Sequence, residues 1–181
     1  MLKGVLIAMA LTVAATGANA QINASPAEKL VMETTKGKVV IALRPDLAPG
    51  HVARVKELTN EGFYNGVVFH RVIKDFMAQT GDPTGTGSGG SDKPDLKAEF
   101  TDTPYVRGTV GAARTGDPNS ANSQFFITFG DASFLNGQYT VWGQVVEGID
   151  VVDAINKGEP PASPDKIVKM TVESAATPAA K

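Results

Sequence analysis

Two short segments of the 181-residue chain mix polar and large apolar side chains in an unusual way. They are residues 69–82, with the sequence FHRVIKDFMAQTGD, and residues 120–129, with the sequence SANSQFFITF. Successive side chains of an extended strand point to opposite faces, so Phe126 shares a face with Gln124, and Met77 shares one with Gln79. These segments are therefore candidates for a functional surface. Ordinary amphipathic strands give the same alternation, and the pattern alone leaves both interpretations open.

Residues that carry covalent or metal chemistry are scarce. The chain has no cysteine, which excludes disulfides, zinc–thiolate sites and thiol nucleophiles. The two histidines, His51 and His70, do not fit a metal-binding motif, and no Gly-x-Ser-x-Gly motif accompanies them. We expect His51 on a helix surface and His70 as a structural strand residue. The glycine-rich residues 85–90 lack the Gly-Lys-Ser/Thr ending of a phosphate-binding loop and predict a surface loop.

The composition is that of one globular domain. Hydrophobic residues make up 42% of the chain and charged residues 20%, with a formal net charge of -2. This mildly acidic balance argues against nucleic acid or an anionic membrane as the main partner.

Short apolar runs separated by turn residues predict many β-strands, which favours a barrel or a sandwich. Pro49 and the spacing of Val52, Val55 and Leu58 predict a first helix that ends at Gly62. Residues 149–156 predict a second helix. The predicted strands are residues 29–34, 38–43, 67–73, 76–80, 106–113, 124–128, 140–146 and 166–173.

The first twenty residues have the pattern of a secretory signal peptide. Lys3 precedes a mostly apolar stretch, and small residues follow up to Ala20. The apolar stretch is shorter than the roughly 20 residues that a membrane-spanning helix needs. We therefore predict a cleaved signal peptide at residues 1–20, with cleavage before Gln21.

Both candidate segments, followed by FLNGQYTVWGQVVEGIDVV at residues 134–152, closely resemble the cyclophilin family of peptidyl-prolyl cis/trans isomerases. The resemblance implies a mainly β fold, a closed eight-stranded antiparallel β-barrel capped by two α-helices, with the active site on the outside of the barrel. The isomerase domain is expected at residues 29–173, between a linker at 21–28 and a flexible tail at 174–181.

The resemblance also implies roles for individual residues and requires neither a metal nor a cofactor. Arg71 matches the catalytic arginine, and Gln79 matches the glutamine that faces the substrate backbone. Other matched positions form the proline pocket, its edge and the groove for the preceding residue, with weaker matches at two loop positions. They are Phe76, Met77, Phe126 and Leu135 in the pocket, Gln124 at its edge, Thr115 and Gly116 in the groove, and Gly85 and Asn119 in the loops.

The residue types fit the implied reaction. Rotation about an X–Pro bond breaks amide resonance, with a barrier of about 18–20 kcal/mol, and no bond to the amide is made or cleaved. No nucleophile or redox group is needed. Arg71 stays charged and offers several donors to the lone pair that develops on the twisted prolyl nitrogen. Without the resemblance, a surface ion pair would be the simpler account of this arginine.

The chain departs from the family pattern at two positions. Phe134 stands where many eukaryotic members have a tryptophan that contacts cyclosporin, and it lacks the indole N–H donor. Tyr139 stands where many members have a pocket histidine, and we keep it as a substrate-binding candidate. Weak cyclosporin binding is therefore expected.

These observations together predict a monomeric, exported isomerase, most consistent with the periplasm, that acts on proline-containing unfolded or partly folded polypeptides. It is not expected to associate with a membrane after signal cleavage. A binding module with the groove but without catalysis is one alternative. A hydrolase on a β-barrel is another, disfavoured because no triad or metal cluster is evident.

Overall fold

Eight strands rich in buried apolar side chains form one sheet. A computed structural model describes residues 28–174. The predicted signal peptide, nearly all of the predicted linker and the tail beyond Ser174 lie outside the described residues. The strands are β1 (Lys29–Thr34), β2 (Gly37–Leu43), β3 (Arg71–Ile73), β4 (Met77–Thr80), β5 (Thr109–Ala112), β6 (Phe125–Thr128), β7 (Val141–Glu147) and β8 (Ile167–Glu173).

The eight strands pair in the order β3-β4-β6-β5-β7-β2-β1-β8, and every paired neighbour is antiparallel. The sheet curls into a half-barrel, so the prediction of a continuously closed barrel is not confirmed. Its edge strands are β3 and β8. Val68, just before β3, forms an isolated bridge to Lys166, and the predicted strand at residues 67–73 is shortened to Arg71–Ile73.

The two predicted α-helices are present and pack against the main core. Helix α1 (Pro49–Asn60) buries Val52, Val55 and Leu58 in the core, and helix α2 (Ile149–Asp153) buries Val152. The second helix is shorter than the predicted residues 149–156. No helix within residues 28–174 is long and apolar enough to cross a membrane.

The main core lies between the sheet and the helices. Trp142 is 1% exposed, and its ring meets Phe125 edge to face at 5.4 Å. Such edge-to-face packing is a preferred geometry for aromatic pairs. Phe125 and Trp142 come from β6 and β7, so this contact joins strands on either side of β5.

The prediction that His51 lies on the surface is wrong. His51 is 2% exposed, and its Nδ1 lies 2.6 Å from Oε2 of Glu99. Glu99 also accepts hydrogen bonds from the backbone N–H groups of Gly50 and His51, at the amino end of α1. The loop that carries Glu99 therefore covers this end of the helix. Burial opposes ionisation of Glu99, but these hydrogen bonds outweigh it and hold its pKa below the usual value.

Candidate active site

The outer face of β4 and β6 carries a second, smaller apolar cluster. Met77 of β4 and Phe126 of β6 belong to this cluster. Phe125 and Ile127, which flank Phe126 on β6, belong to the main core. The alternation predicted for residues 124–128 therefore places large apolar side chains on both faces of the sheet. The outer cluster also includes Leu135, from a short 3-10 helix at Ser133–Leu135.

One row of paired residues crosses this face. Arg71 of β3 pairs with Gln79 of β4, Gln79 pairs with Phe126 of β6, and Phe126 pairs with Gly111 of β5. A Cβ atom at Gly111 would lie 2.7 Å from the Phe126 ring and 2.3 Å from the hydroxyl of Tyr105. Only glycine therefore leaves room for Phe126 to stack on Tyr105, at a centroid distance of 5.7 Å.

A cavity of about 440 Å³ opens beside this row. Its lining contains eight of the predicted site residues, and three further residues that the sequence did not single out. The predicted ones are Arg71, Phe76, Met77, Gln79, Phe126, Phe134, Leu135 and Tyr139, and the others are Ala113, Arg114 and Gln138. Phe134 is 63% exposed and packs at the rim against Phe76, with ring centroids 5.3 Å apart.

Arg114 is the most informative of the missed residues. Its guanidinium lies 4.5 Å from the centre of the Tyr139 ring, in a cation–π contact. It lines both the 440 Å³ cavity and a neighbouring cavity of about 470 Å³. An isolated arginine after a strand carries no sequence pattern that would have identified it.

The neighbouring cavity contains Gln124 and Thr115, as well as Gln79. Gly116, predicted beside Thr115, is exposed and lines neither cavity. Of the two weaker candidates, Gly85 lines a third cavity, and Asn119 instead accepts a hydrogen bond from the Ala98 backbone N–H.

A chain of hydrogen bonds fixes the polar side chains of the row. Gln79 Nε2 donates to Gln124 Oε1 at 2.9 Å, and Gln124 Nε2 donates to the carbonyl groups of Gly87 and Gly89. Arg71 Nη1 makes a longer contact of 3.5 Å with Gln79 Oε1. Because each amide is held at both ends, its donor and acceptor atoms have a defined orientation toward the groove.

Asp82 organises the loop at the end of this chain of hydrogen bonds. Its fully buried carboxylate accepts hydrogen bonds from the backbone N–H groups of Thr84, Gly87 and Gly89 and from the Thr84 hydroxyl. Burial alone would raise the pKa of Asp82, but these donors outweigh it and lower its pKa to about 2.

His70, next to Arg71, is 5% exposed, and its ring nitrogens have no hydrogen-bond partner among the described residues. Burial, partly opposed by Asp82, lowers its pKa. A buried neutral imidazole is consistent with the predicted structural role. Residues 28–174 contain no group of three or more acidic or histidine side chains that could hold a metal ion.

Comparison with known proteins identifies the family. Residues 29–172 match the family model described as cyclophilin type peptidyl-prolyl cis-trans isomerase/CLD. The chain belongs to the cyclophilin family. Its enzyme class is accordingly cyclophilin-type peptidyl-prolyl cis-trans isomerase.

Relatives and solved structures agree with this membership. The cyclophilin is 54% identical over 167 residues to a probable peptidyl-prolyl cis-trans isomerase of Brucella suis, covering 83% of this chain and 85% of that protein. The crystal structure of cyclophilin AquaCyp293 from Hirschia baltica superposes with a TM-score of 0.76 at 32% identity, covering 84% of this chain and 76% of that one.

A third relative was crystallised in the presence of a proline-containing dipeptide. It is a Cryptosporidium parvum cyclophilin type peptidyl-prolyl cis-trans isomerase, solved in the presence of Ala-Pro, with a TM-score of 0.75 and 29% identity. The match covers 81% of this cyclophilin and 99% of the Cryptosporidium parvum chain.

The Asp82 cluster leads to a prediction about stability. Because the pKa of Asp82 is lower in the folded state, its ionised form stabilises the fold by about 2 kcal/mol at neutral pH. This contribution is complete above a pH of about 4, the unfolded pKa, and is lost as the pH falls through about 2. We expect Asp82→Asn to lower the free energy of unfolding in urea by about that amount at neutral pH.

The matched control is Asp117→Asn, because Asp117 is exposed and caps only a local turn with Asn119. That change should alter the free energy of unfolding by less than about 0.5 kcal/mol. The difference between wild type and Asp82→Asn should shrink as urea titrations are repeated toward acidic pH. A difference that does not change with pH would contradict the assigned role of the carboxylate.

Proposed function

We propose that this cyclophilin accelerates cis/trans isomerisation of X–Pro bonds in unfolded or partly folded exported proteins, and that it works in the periplasm as a monomer. The observation that carries the catalytic part is the row of Arg71, Gln79 and Phe126 beside one apolar cavity. The row puts a cation, an amide and an aromatic ring within reach of a single proline residue.

The apolar cavity binds the proline ring. Phe126 and Met77 form its floor and are almost completely buried, whereas Phe76 and Phe134 stand at its rim. Burial of apolar area stabilises the bound ring by about 25 cal/mol per Å² removed from water. Because the ring is held, rotation about the X–Pro bond moves the residue on the amino side of the proline.

Arg71 provides the differential binding that lowers the barrier. In the twisted transition state the prolyl nitrogen becomes pyramidal and gains a lone pair, which accepts a hydrogen bond that neither planar state accepts. A guanidinium donor aimed at this nitrogen therefore binds the transition state more tightly than the substrate. No proton is transferred and no covalent intermediate forms.

Gln79 faces the carbonyl group that moves during rotation. Its Nε2 donates to Gln124, and its Oε1 lies toward Arg71, so its position is fixed before the substrate binds. Preorganised polar groups need no reorientation during the reaction, which is the main source of their effect. The cavity that contains Gln124 and Thr115 then takes the residue before the proline.

The export part of the proposal rests on the pattern of residues 1–20. A positive start, a short apolar stretch and small residues up to Ala20 are typical of a cleaved signal peptide. Clients that have crossed the membrane unfolded contain X–Pro bonds whose uncatalysed isomerisation takes roughly 10–100 s.

The main test of catalysis is Arg71→Ala. We expect the rate of proline-peptide isomerisation, expressed as kcat/KM, to fall on the order of 100-fold, because one donor to the transition state is lost. The control is Arg107→Ala, which removes an exposed arginine whose ion pair with Asp153 lies outside the groove. Retention of wild-type kcat/KM by Arg71→Ala would contradict an isomerase mechanism centred on this residue, and the absence of isomerisation by the wild type would favour a binding module.

A second prediction concerns cyclosporin. Phe134 offers no indole N–H to this ligand, so we expect the wild-type protein to be inhibited only weakly. Phe134→Trp should tighten inhibition on the order of 10-fold, the effect of one added hydrogen bond of about 1.4 kcal/mol. Tight inhibition of the wild-type protein in the same isomerase assay would contradict this interpretation of Phe134.

The third prediction concerns export. In a Gram-negative host that expresses the full chain, we expect the protein in the periplasmic fraction, with an intact mass that corresponds to a chain beginning at Gln21. Ala18→Asp combined with Ala20→Asp should block processing, because the cleavage site needs small residues. A full-length wild-type protein in the cytoplasmic fraction would contradict the proposal.

A further inference from the structure

Arg71 has an acidic partner that lies outside the proline cavity. Its Nε lies 2.9 Å from Oε2 of Glu159, a residue that follows helix α2. Glu159 is absent from the lining of the 440 Å³ cavity. It lines the third cavity instead, which also includes Arg71 and Gln79. The carboxylate therefore contacts the guanidinium from the side away from the proline pocket.

The backbone of β3 determines where Glu159 lies. Val72 and Gly158 exchange two backbone hydrogen bonds, of 2.8 and 2.9 Å, which fix the segment after α2 against the edge of β3. As a result, Glu159 and Arg71, the residues next to this pair, lie side by side. The rest of the segment is held by Asp165, which accepts a hydrogen bond from the Asn156 backbone N–H.

The contact leaves the other end of the guanidinium free for substrate. Nε is taken by Glu159, and Nη1 lies 3.5 Å from Gln79 Oε1. Nη2 makes no hydrogen bond with residues 28–174 in the described structure. A carboxylate on Nε restricts rotation of the guanidinium about its last side-chain bonds, so the Nη groups keep their direction toward the cavity.

We propose that Glu159 is a positioning residue that holds the Arg71 guanidinium in the orientation needed for isomerisation. This inference rests on the catalytic role proposed above for Arg71. The Arg71 and Glu159 side chains are 42% and 52% exposed, and exposed ion pairs contribute little to stability. The benefit of the contact is therefore expected in the reaction rate, where orientation of a catalytic group matters most.

The chain contains a suitable control for an ion pair of this kind. Arg107 and Asp153 also form an exposed arginine–carboxylate pair, with side chains 48% and 41% exposed, but neither residue lines the 440 Å³ cavity. Asp153→Asn removes a charge from a comparable pair without touching the groove. A general effect of losing a surface ion pair would appear equally in both variants.

The experiment compares Glu159→Ala, Glu159→Gln, Asp153→Asn and Arg71→Ala with the wild type in a proline-peptide isomerase assay. We expect Glu159→Ala to lower kcat about 10-fold with KM changed less than about twofold, because an interaction used in the transition state is weakened. Glu159→Gln keeps an acceptor for Nε and should lose only about threefold. Asp153→Asn should keep wild-type kcat.

Nuclear magnetic resonance of the Arg71 Nε–H group supplies a second measurement. In the wild type and in Glu159→Gln this proton should be protected from exchange with water, whereas Glu159→Ala should expose it, with melting temperatures close to that of the wild type. If Glu159→Ala does not fold, Glu159→Gln against wild type carries the same comparison.

The outcomes separate the two proposals. Wild-type kcat in Glu159→Ala, together with a large loss in Arg71→Ala, would overturn the role of Glu159 and leave that of Arg71 intact. No loss in Arg71→Ala would instead overturn the catalytic role on which this inference rests. Equal losses in Glu159→Gln and Glu159→Ala, despite a protected Nε–H in Glu159→Gln, would also overturn the positioning role.

Discussion

The active surface depends on strands that bury apolar side chains on both faces of one sheet. Phe125 and Ile127 of β6 pack into the main core, while Phe126 between them packs outward against Tyr105 and Met77. Outward packing is favourable only because the loops and the 3-10 helix supply a second apolar cluster that covers part of this face. The 440 Å³ cavity is the part of that cluster left open, and residues of strands β4 and β6 contribute to its lining.

Hydrogen bonds, and not apolar packing, hold the polar groups on the same face. Gln79 and Gln124 bind each other, and Gln124 is tied to two glycine carbonyl groups of the loop after β4. That loop is in turn organised by the buried Asp82 carboxylate. Loops usually have few fixed contacts. In this loop, which has no apolar core of its own, the buried Asp82 carboxylate accepts several backbone hydrogen bonds and so holds the backbone in place.

Sequence patterns predicted those parts of the molecule that depend on local periodicity. The strand elements and both helices were recognised from such patterns. The family resemblance, and not periodicity, supplied the candidate site residues, eight of which line a single cavity. Errors arose where the deciding contact is distant along the chain. His51 is buried because Glu99, 48 positions later, covers the start of α1. The edge strand β3 is shorter than predicted because Val68 instead forms an isolated bridge to Lys166, 98 positions later and just before β8.

The site residues that the sequence did not identify were missed for the same reason, a deciding contact that is distant along the chain. Arg114 and Glu159 belong to no repeating pattern, and each becomes significant only through a tertiary contact, with Tyr139 and Arg71 respectively. The family resemblance supplied the identity of Arg71, but it could not show which acidic group in this chain lies beside it. Gly116 is the opposite case, a position matched in sequence that lines neither of the two cavities.

The bridge between Val72 and Gly158 has a consequence for biosynthesis. Arg71 and Glu159 are separated by 88 positions, so ribosomal synthesis completes β3, β4 and β6 well before the segment that braces Arg71 emerges. A nascent chain that already contains every residue lining the 440 Å³ cavity still lacks Glu159, the residue that contacts Arg71. Glu159, the residue proposed to position Arg71, therefore leaves the ribosome after all the residues that line the cavity and shortly before the last strand, β8.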